Sequence, residues 1–395
     1  MTPPRSLRFT LPLLAVVSHL GLAAAPRLPA SDAEIVERLP GRASDPAQRE
    51  LDTLRAAWRR DPRDAAAAVA LARAYVERTG ATGDPRYTGY AQAALQPWWD
   101  EAAPPIEVRV QRAVLRQFGH GFDAALADLA AVVQAAPDHA EAWSWIAAIE
   151  LVRANYPAAR RACEAMAPQV PALIARGCSA TVDSLSGHAD GAAAALRQAL
   201  AAAAGADPGQ RLWVLTRLAE VEERRGDSAA AEAAFGQALA LGLDDVYLLA
   251  AWSDFLLDRN RPAEVLTLLR ERARADVLLL RLALAAKAVG DPLAKRWADE
   301  LAARFEAARA RGDTTHRKEE SRFELALRGD TERALVLAQQ NYAEQREAAD
   351  ARLLLEAALA AGRPEAAAPV LAWMQASSVE SVVLQALAAR LKGGR

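Results

Sequence analysis

The chain has 395 residues, with 48 basic against 50 acidic side chains and a formal net charge of -2, so no broad basic field exists to hold nucleic acid. Gly and Pro number 21 each, an ordinary share that excludes collagen-like and low-complexity chains, while 98 residues are alanine. The two cysteines offer no zinc-site pattern.

Residues 1–25 read as a secretory signal. Arg5 and Arg8 precede an apolar stretch from Phe9 to Leu22, and Ala23, Ala24 and Ala25 supply small residues for cleavage near Ala23 or Ala25. The stretch is too short to span a bilayer, and no second run approaches spanning length, so no stable membrane insertion of the mature chain is expected. The expected location is exported and periplasmic. Residues 26–46 read as a loose segment. Residues 47–60 read as one helix ending at Asp61-Pro62, with Leu51, Leu54 and Trp58 on one face.

From there to residue 391 the chain repeats. Residues 65–99 form a unit whose turn, Gly80 to Tyr87, reads as a longer insertion. Further units fall at about 105–137, 140–171, 173–204, 211–243, 246–275, 276–311, 315–347 and 348–375. Residues 379–391 read as a capping helix and 392–395 as a tail. Turn-like positions recur at His120, Ala154, Gly187, Gly226, Asn260, Gly290, Gly329 and Gly362, at a mean spacing of about 35 residues, the span of two short antiparallel helices. One copy runs Trp143, Ile146, Ala147, then Ala159, Cys163 and Met166, closed by Pro171. Others run Leu215, Leu218, Ala219, then Ala231, Phe235, Ala238; Leu279, Leu282, Ala283; and Ala351, Leu354, then Ala367, Leu371, Met374. Apolar residues three apart share a helical face, the adjacent small residue admits a partner helix, and Gly or Asn ends the first helix through a left-handed cap.

This spacing resembles the tetratricopeptide repeat. The expected fold is all-α: a right-handed solenoid of about nine stacked antiparallel helix pairs over 47–391, with almost no strand. In that family the first helix of each unit lines the concave face. The resemblance therefore implies that Arg73, Gln111, Gln117, Trp145, Arg217, Glu220, Arg224, Tyr247, Asp254, Asp258, Arg281 and Lys287 face a partner. Trp145 follows Trp143 by two residues, so one of the two is expected to be partly exposed. The alternative places Trp145 between repeats, and makes the Arg217/Arg224 and Asp254/Asp258 sets inter-repeat ion pairs.

Cys163 and Cys178 lie symmetrically about the turn near residue 170, at equal height on antiparallel helices. A disulfide is expected in an exported chain; two packed thiols are the alternative. The histidines (His19, His120, His139, His188 and His316) lack metal-ligand spacing, no nucleophile motif occurs, and the carboxylate pairs Glu222-Glu223, Glu319-Glu320 and Asp244-Asp245 read as solvated surface. No catalytic residue, metal or cofactor is expected. The expected function is a non-enzymatic scaffold of the bacterial cell envelope that binds a protein or peptide in the concave groove. One alternative is an accessory subunit docking through its convex face or end cap. Another is small-molecule or glycan binding near Trp98-Trp99.

Overall fold

The computed structural model describes residues 46–393, so the expected signal and most of the loose segment lie outside the described residues. The chain divides into Met1–Arg49 and Glu50–Arg395, and the repeats occupy the second unit. Helix α1 (Pro46–Arg60) precedes them, with Leu51 1% exposed in the first core cluster.

Nine antiparallel pairs follow. They are α2 (Ala65–Thr82) with α3 (Arg86–Ala94), α4 (Ile106–Phe118) with α5 (Phe122–Ala135), and α6 (Ala140–Val152) with α7 (Tyr156–Met166). Next come α8 (Ala172–Ser184) with α9 (Ala189–Ala202), α10 (Pro208–Arg225) with α11 (Ser228–Leu239), and α12 (Val246–Asp258) with α13 (Pro262–Leu269). The last are α14 (Asp276–Val289) with α15 (Ala294–Ala310), α16 (Arg317–Phe323) with α17 (Thr331–Glu344), and α18 (Ala348–Ala360) with α19 (Ala368–Ser377). Helix α20 (Val382–Gly393) closes the array with Leu384, Leu387 and Leu391 buried. No strand occurs among the described residues. The solenoid is right-handed and all-α.

The turn inside every pair carries a residue at positive φ: Gly83, His120, Ala154, Gly187, Gly226, Asn260, Gly290, Gly329 and Gly362, with φ from 56° to 85°. The left-handed cap that ends the first helix is thus a fixed part of each unit. Helix starts are set by carboxylates. Asp64, Asp207, Asp227, Asp245 and Asp330 each accept from backbone N–H groups of the helix they cap. Alanines fill the crossings: Ala159, Ala219, Ala231 and Ala283 are 0% exposed. At Gly177 even a methyl group would lie 2.5 Å from the Trp213 ring, so α8 and α10 approach through glycine.

One local expectation is corrected. No long insertion spans Gly80 to Tyr87: α2 runs through Gly80 to Thr82, and three residues, Gly83 to Pro85, join it to α3. Gly80 is exposed within α2, where a single glycine costs only about 1 kcal/mol relative to alanine and does not end the helix. Helix α20 likewise extends past residue 391 to Gly393.

The solenoid coils back on itself. Turns inside early pairs meet the connections between later pairs. A methyl group at Gly83 would stand 2.4 Å from the Ala275 side chain, and one at Gly226 would stand 3.2 Å from Val382. The Arg346 N–H donates to Val152 O at 2.7 Å, and the Ala189 N–H donates to Glu380 Oε2 at 2.6 Å. Trp373 Nε1 donates to the Tyr156 hydroxyl at 3.1 Å inside a buried cluster that joins residues of α6–α8 to residues of α17–α20.

Candidate functional site

Polar side chains of the first helices of the pairs meet in two groups. The N-terminal group is a ladder between close neighbours. Arg73 on α2 donates to Glu107 on α4 at 2.9 Å and to Glu141 on α6 at 2.6 Å. Gln111 donates to Glu141 at 2.9 Å, and His139 stands 3.3 Å from Glu107.

The second group is larger. On α10, Arg217 pairs with Glu220 at 3.0 Å and lies 4.6 Å from the centre of the Tyr247 ring, while the Tyr247 hydroxyl donates to Glu220 at 2.5 Å. Arg224 donates to the Ser184 hydroxyl at 2.7 Å. On α12, Asp254 accepts from Arg281 of α14 at 2.7 Å and from Arg322 of α16 at 2.6 Å. Burial by itself would raise the Asp254 carboxyl, but these two guanidinium groups overcome it and hold it at about 2. Asp258, one helical turn further, accepts a two-pronged bond from Arg352 of α18, one arm at 2.8 Å. Glu223 lies among these carboxylates. Burial, reinforced by Asp258, pushes it up to about 7. Lys318 stands 3.6 Å from Asp350, which also accepts from Asn341 at 2.9 Å. Burial raises the Asp350 carboxyl against the opposing pull of Lys318, and Asp350 in turn raises Lys318.

Arg217, Glu220, Arg224, Tyr247, Asp254, Asp258 and Arg281 are therefore brought together, whereas Arg73 and Gln111 belong to the separate ladder. Two of these residues correct the picture of an open, partner-facing surface: Gln111 and Arg281 are 2% and 8% exposed. Their polar ends are consumed by carboxylates on neighbouring repeats. Lys287 is exposed and donates to Ala326 O at 2.6 Å. Gln117 is half-buried at the end of α4. Trp143 and Trp145 are both half-buried, each against a different core cluster, with Trp145 edge-on to Phe118 at 6.3 Å. Trp98 is buried, and Trp99 is partly covered with Arg116 over its ring.

The carboxylate pairs are also corrected. Glu222 is fully buried and bonded by Arg197 and Arg225, and Glu320 is buried between Arg309 and Arg333. In these two pairs at least one carboxylate turns inward because arginines reach it, whereas Asp244 stays on the exposed surface as expected. Asp245 caps α12, and Asp244 pairs with Arg272.

Sequence reasoning missed Arg322, Arg352, Lys318 and Asp350. The stripe that picked Asp254 and Arg281, carried on into α16 and α18, points to Arg322 and Arg352. It also missed buried Arg112, which bonds Asp128 at 2.7 and 2.9 Å and donates to three carbonyls of the 98–101 turn. Nothing in the periodicity marks that pair. Cys163 of α7 and Cys178 of α8 are joined by a disulfide with a Cα–Cα distance of 5.7 Å, inside the cluster that includes Trp373. Among the described residues no group of three or more His, Cys, Asp or Glu is placed to hold a metal ion, and no helix is long and apolar enough to cross a membrane.

No family model and no curated relative matches the chain. Solved structures do. The Cut9–Hcn1 hetero-tetramer of the APC/C superposes with a TM-score of 0.50 at 12% identity, over 87% of this chain and 66% of that one. The chain thus spans just under two thirds of that protein. Yeast Tom70 gives a TM-score of 0.41 at 10% identity, over 88% and 86% of the two chains. A tetratricopeptide repeat protein of Parabacteroides merdae gives 0.33 at 12% identity, over 78% and 99%. The first of these likenesses speaks to the fold, a solenoid of stacked antiparallel helix pairs.

Proposed function

We propose that this chain, with its tetratricopeptide-repeat fold, is a non-enzymatic scaffold of the bacterial cell envelope that recognises a protein or peptide segment on its inner face. One observation carries the reading. Arg217 and Glu220 of α10 and Tyr247, Asp254 and Asp258 of α12 form a linked charged and aromatic set on two successive first helices, which this reading takes as the concave surface. Charged and aromatic side chains on a pre-formed surface suit recognition of an extended or helical segment. The near-zero net charge argues against nucleic acid as the partner. The start of the sequence, with Arg5 and Arg8 before an apolar stretch and Ala23 to Ala25, supports export.

A second reading is an accessory subunit of an envelope assembly that docks through its convex face or end cap. The engagement of Asp254 by Arg322 and of Asp258 by Arg352 favours it, since it leaves the inner face satisfied by the chain itself. In-cell crosslinking of tagged protein, followed by mass spectrometry, tests both. The first reading expects an envelope protein that is captured by the native chain and lost when Glu220 and Tyr247 are replaced by Lys and Ala. Retention of that protein by the variant supports the second, and capture of cytosolic proteins alone overturns the envelope assignment.

A further inference from the structure

We propose that α16–α20 act as an intramolecular occupant: the late repeats fold over the earlier ones, engage Asp254 and Asp258, and so withhold the inner face from a basic partner segment. This rests on the reading of the inner face as the recognition surface.

In a solenoid each repeat is held chiefly by its immediate neighbours. The closing contacts are of another kind. Asp258 and Arg352 are 94 residues apart, Trp373 and Tyr156 are 217 apart, and Glu380 and Ala189 are 191 apart. None belongs to an interface between adjacent pairs, so releasing them leaves every neighbour interface in place. The seam also contains two polar cavities. One is lined by Glu150, Arg153, Asn155, Glu344 and Arg346, the other by Arg224, Arg225, Glu380 and Ser381. Such cavities are foreign to a close-packed core but ordinary in a wet, separable interface. A turn that can yield lies at its edge. The Arg311–His316 connection carries Gly312 at φ 72°, and α16 ends in a π-helical turn over Glu324–Arg328.

The chemistry of the occupant defines that of the competitor. Arg322 and Arg352 supply guanidinium groups to two carboxylates one turn apart on α12, so a partner that displaces them brings arginine or lysine at that spacing. The buried Tyr156–Trp373 contact keeps the closed state dominant, and a partner shifts the balance only by binding the open state better.

Hydrogen exchange on the full chain tests the closure without any partner. Reversing both charges (Arg322→Glu with Arg352→Glu) is expected to speed exchange of the Arg346 and Ala189 amides at least tenfold, while mid-helix amides of α8 and α10 keep native protection. Adding Asp254→Arg and Asp258→Arg is expected to restore it. Unchanged protection at Arg346 and Ala189, or equal loss across the whole chain, overturns the proposal. Should the reversed variant not fold, the native chain in rising salt gives the same readout, and failure of those two amides to lead the others overturns it equally. Released amides with no inner-face crosslink to any protein would leave the closure standing and sink the scaffold reading instead.

Discussion

The two inner-face clusters use the same residue types to different ends. Arg73 reaches Glu107 and Glu141 at 34 and 68 residues' separation, along the ladder of adjacent pairs. Arg352 reaches Asp258 at 94 residues, three pairs away. The first set links successive first helices. The second joins helices of pairs that are not neighbours. A charged stripe on a repeat protein therefore has no fixed meaning: its role depends on how far the superhelix has turned before the next charge arrives.

That contrast can be broken at the seam. Trp373→Ala should cost about 3–5 kcal/mol in urea unfolding, the usual range for emptying a buried tryptophan site, because Trp373 fills the cluster shared by early and late pairs. A loss under about 1 kcal/mol would show that the late pairs are not docked. Reducing the Cys163–Cys178 disulfide, which closes a 15-residue separation in the same cluster, should remove roughly 3 kcal/mol in the chain-entropy account. The check is the unfolding midpoint with and without reductant.

The two clusters themselves can be compared by double-mutant cycles. The Asp258–Arg352 pair, two-pronged and with side chains 20% and 32% exposed, should show a coupling of about 1–2 kcal/mol. Arg73–Glu107, with side chains 43% and 53% exposed, should show less than about 0.5 kcal/mol. Equal couplings would remove the distinction.

A pH experiment sharpens it further. Glu223 titrates near 7 in the folded chain, above the ordinary 4.5 expected when unfolded. The folded state thus holds a proton that the unfolded state releases, and this contribution to stability fades as pH rises from about 4.5 through 7. Glu223→Gln should therefore raise the unfolding midpoint relative to the native chain at pH 8 and change it little at pH 4. A further effect lies in a turn beside the seam. Ala154 sits at φ 58°, where a Cβ is strained, so Ala154→Gly should gain about 1 kcal/mol.

The fold was legible because its signals are local. Eight turn residues from His120 to Gly362 could be picked from spacing alone, and all eight are left-handed in the structure. Small residues such as Ala159 and Ala231 mark crossings for the same reason: contact between adjacent helices needs a Cβ and no more. Gly80 misled because a single glycine in a helix costs only about 1 kcal/mol and does not by itself break it.

The candidate site was legible only in part. Heptad-like position says which side chains leave the packing stripe, and Asp254, Asp258 and Arg281 do leave it. It does not say what they meet. Sequence periodicity determined the repeat and its turns, since each depends on residues within about 35 positions of one another. Tertiary structure alone decided that Arg352 reaches Asp258, that Arg281 is buried and that Trp373 bonds Tyr156. Those outcomes depend on the superhelical twist, a small rotation per repeat that accumulates over the whole array and that no single repeat encodes.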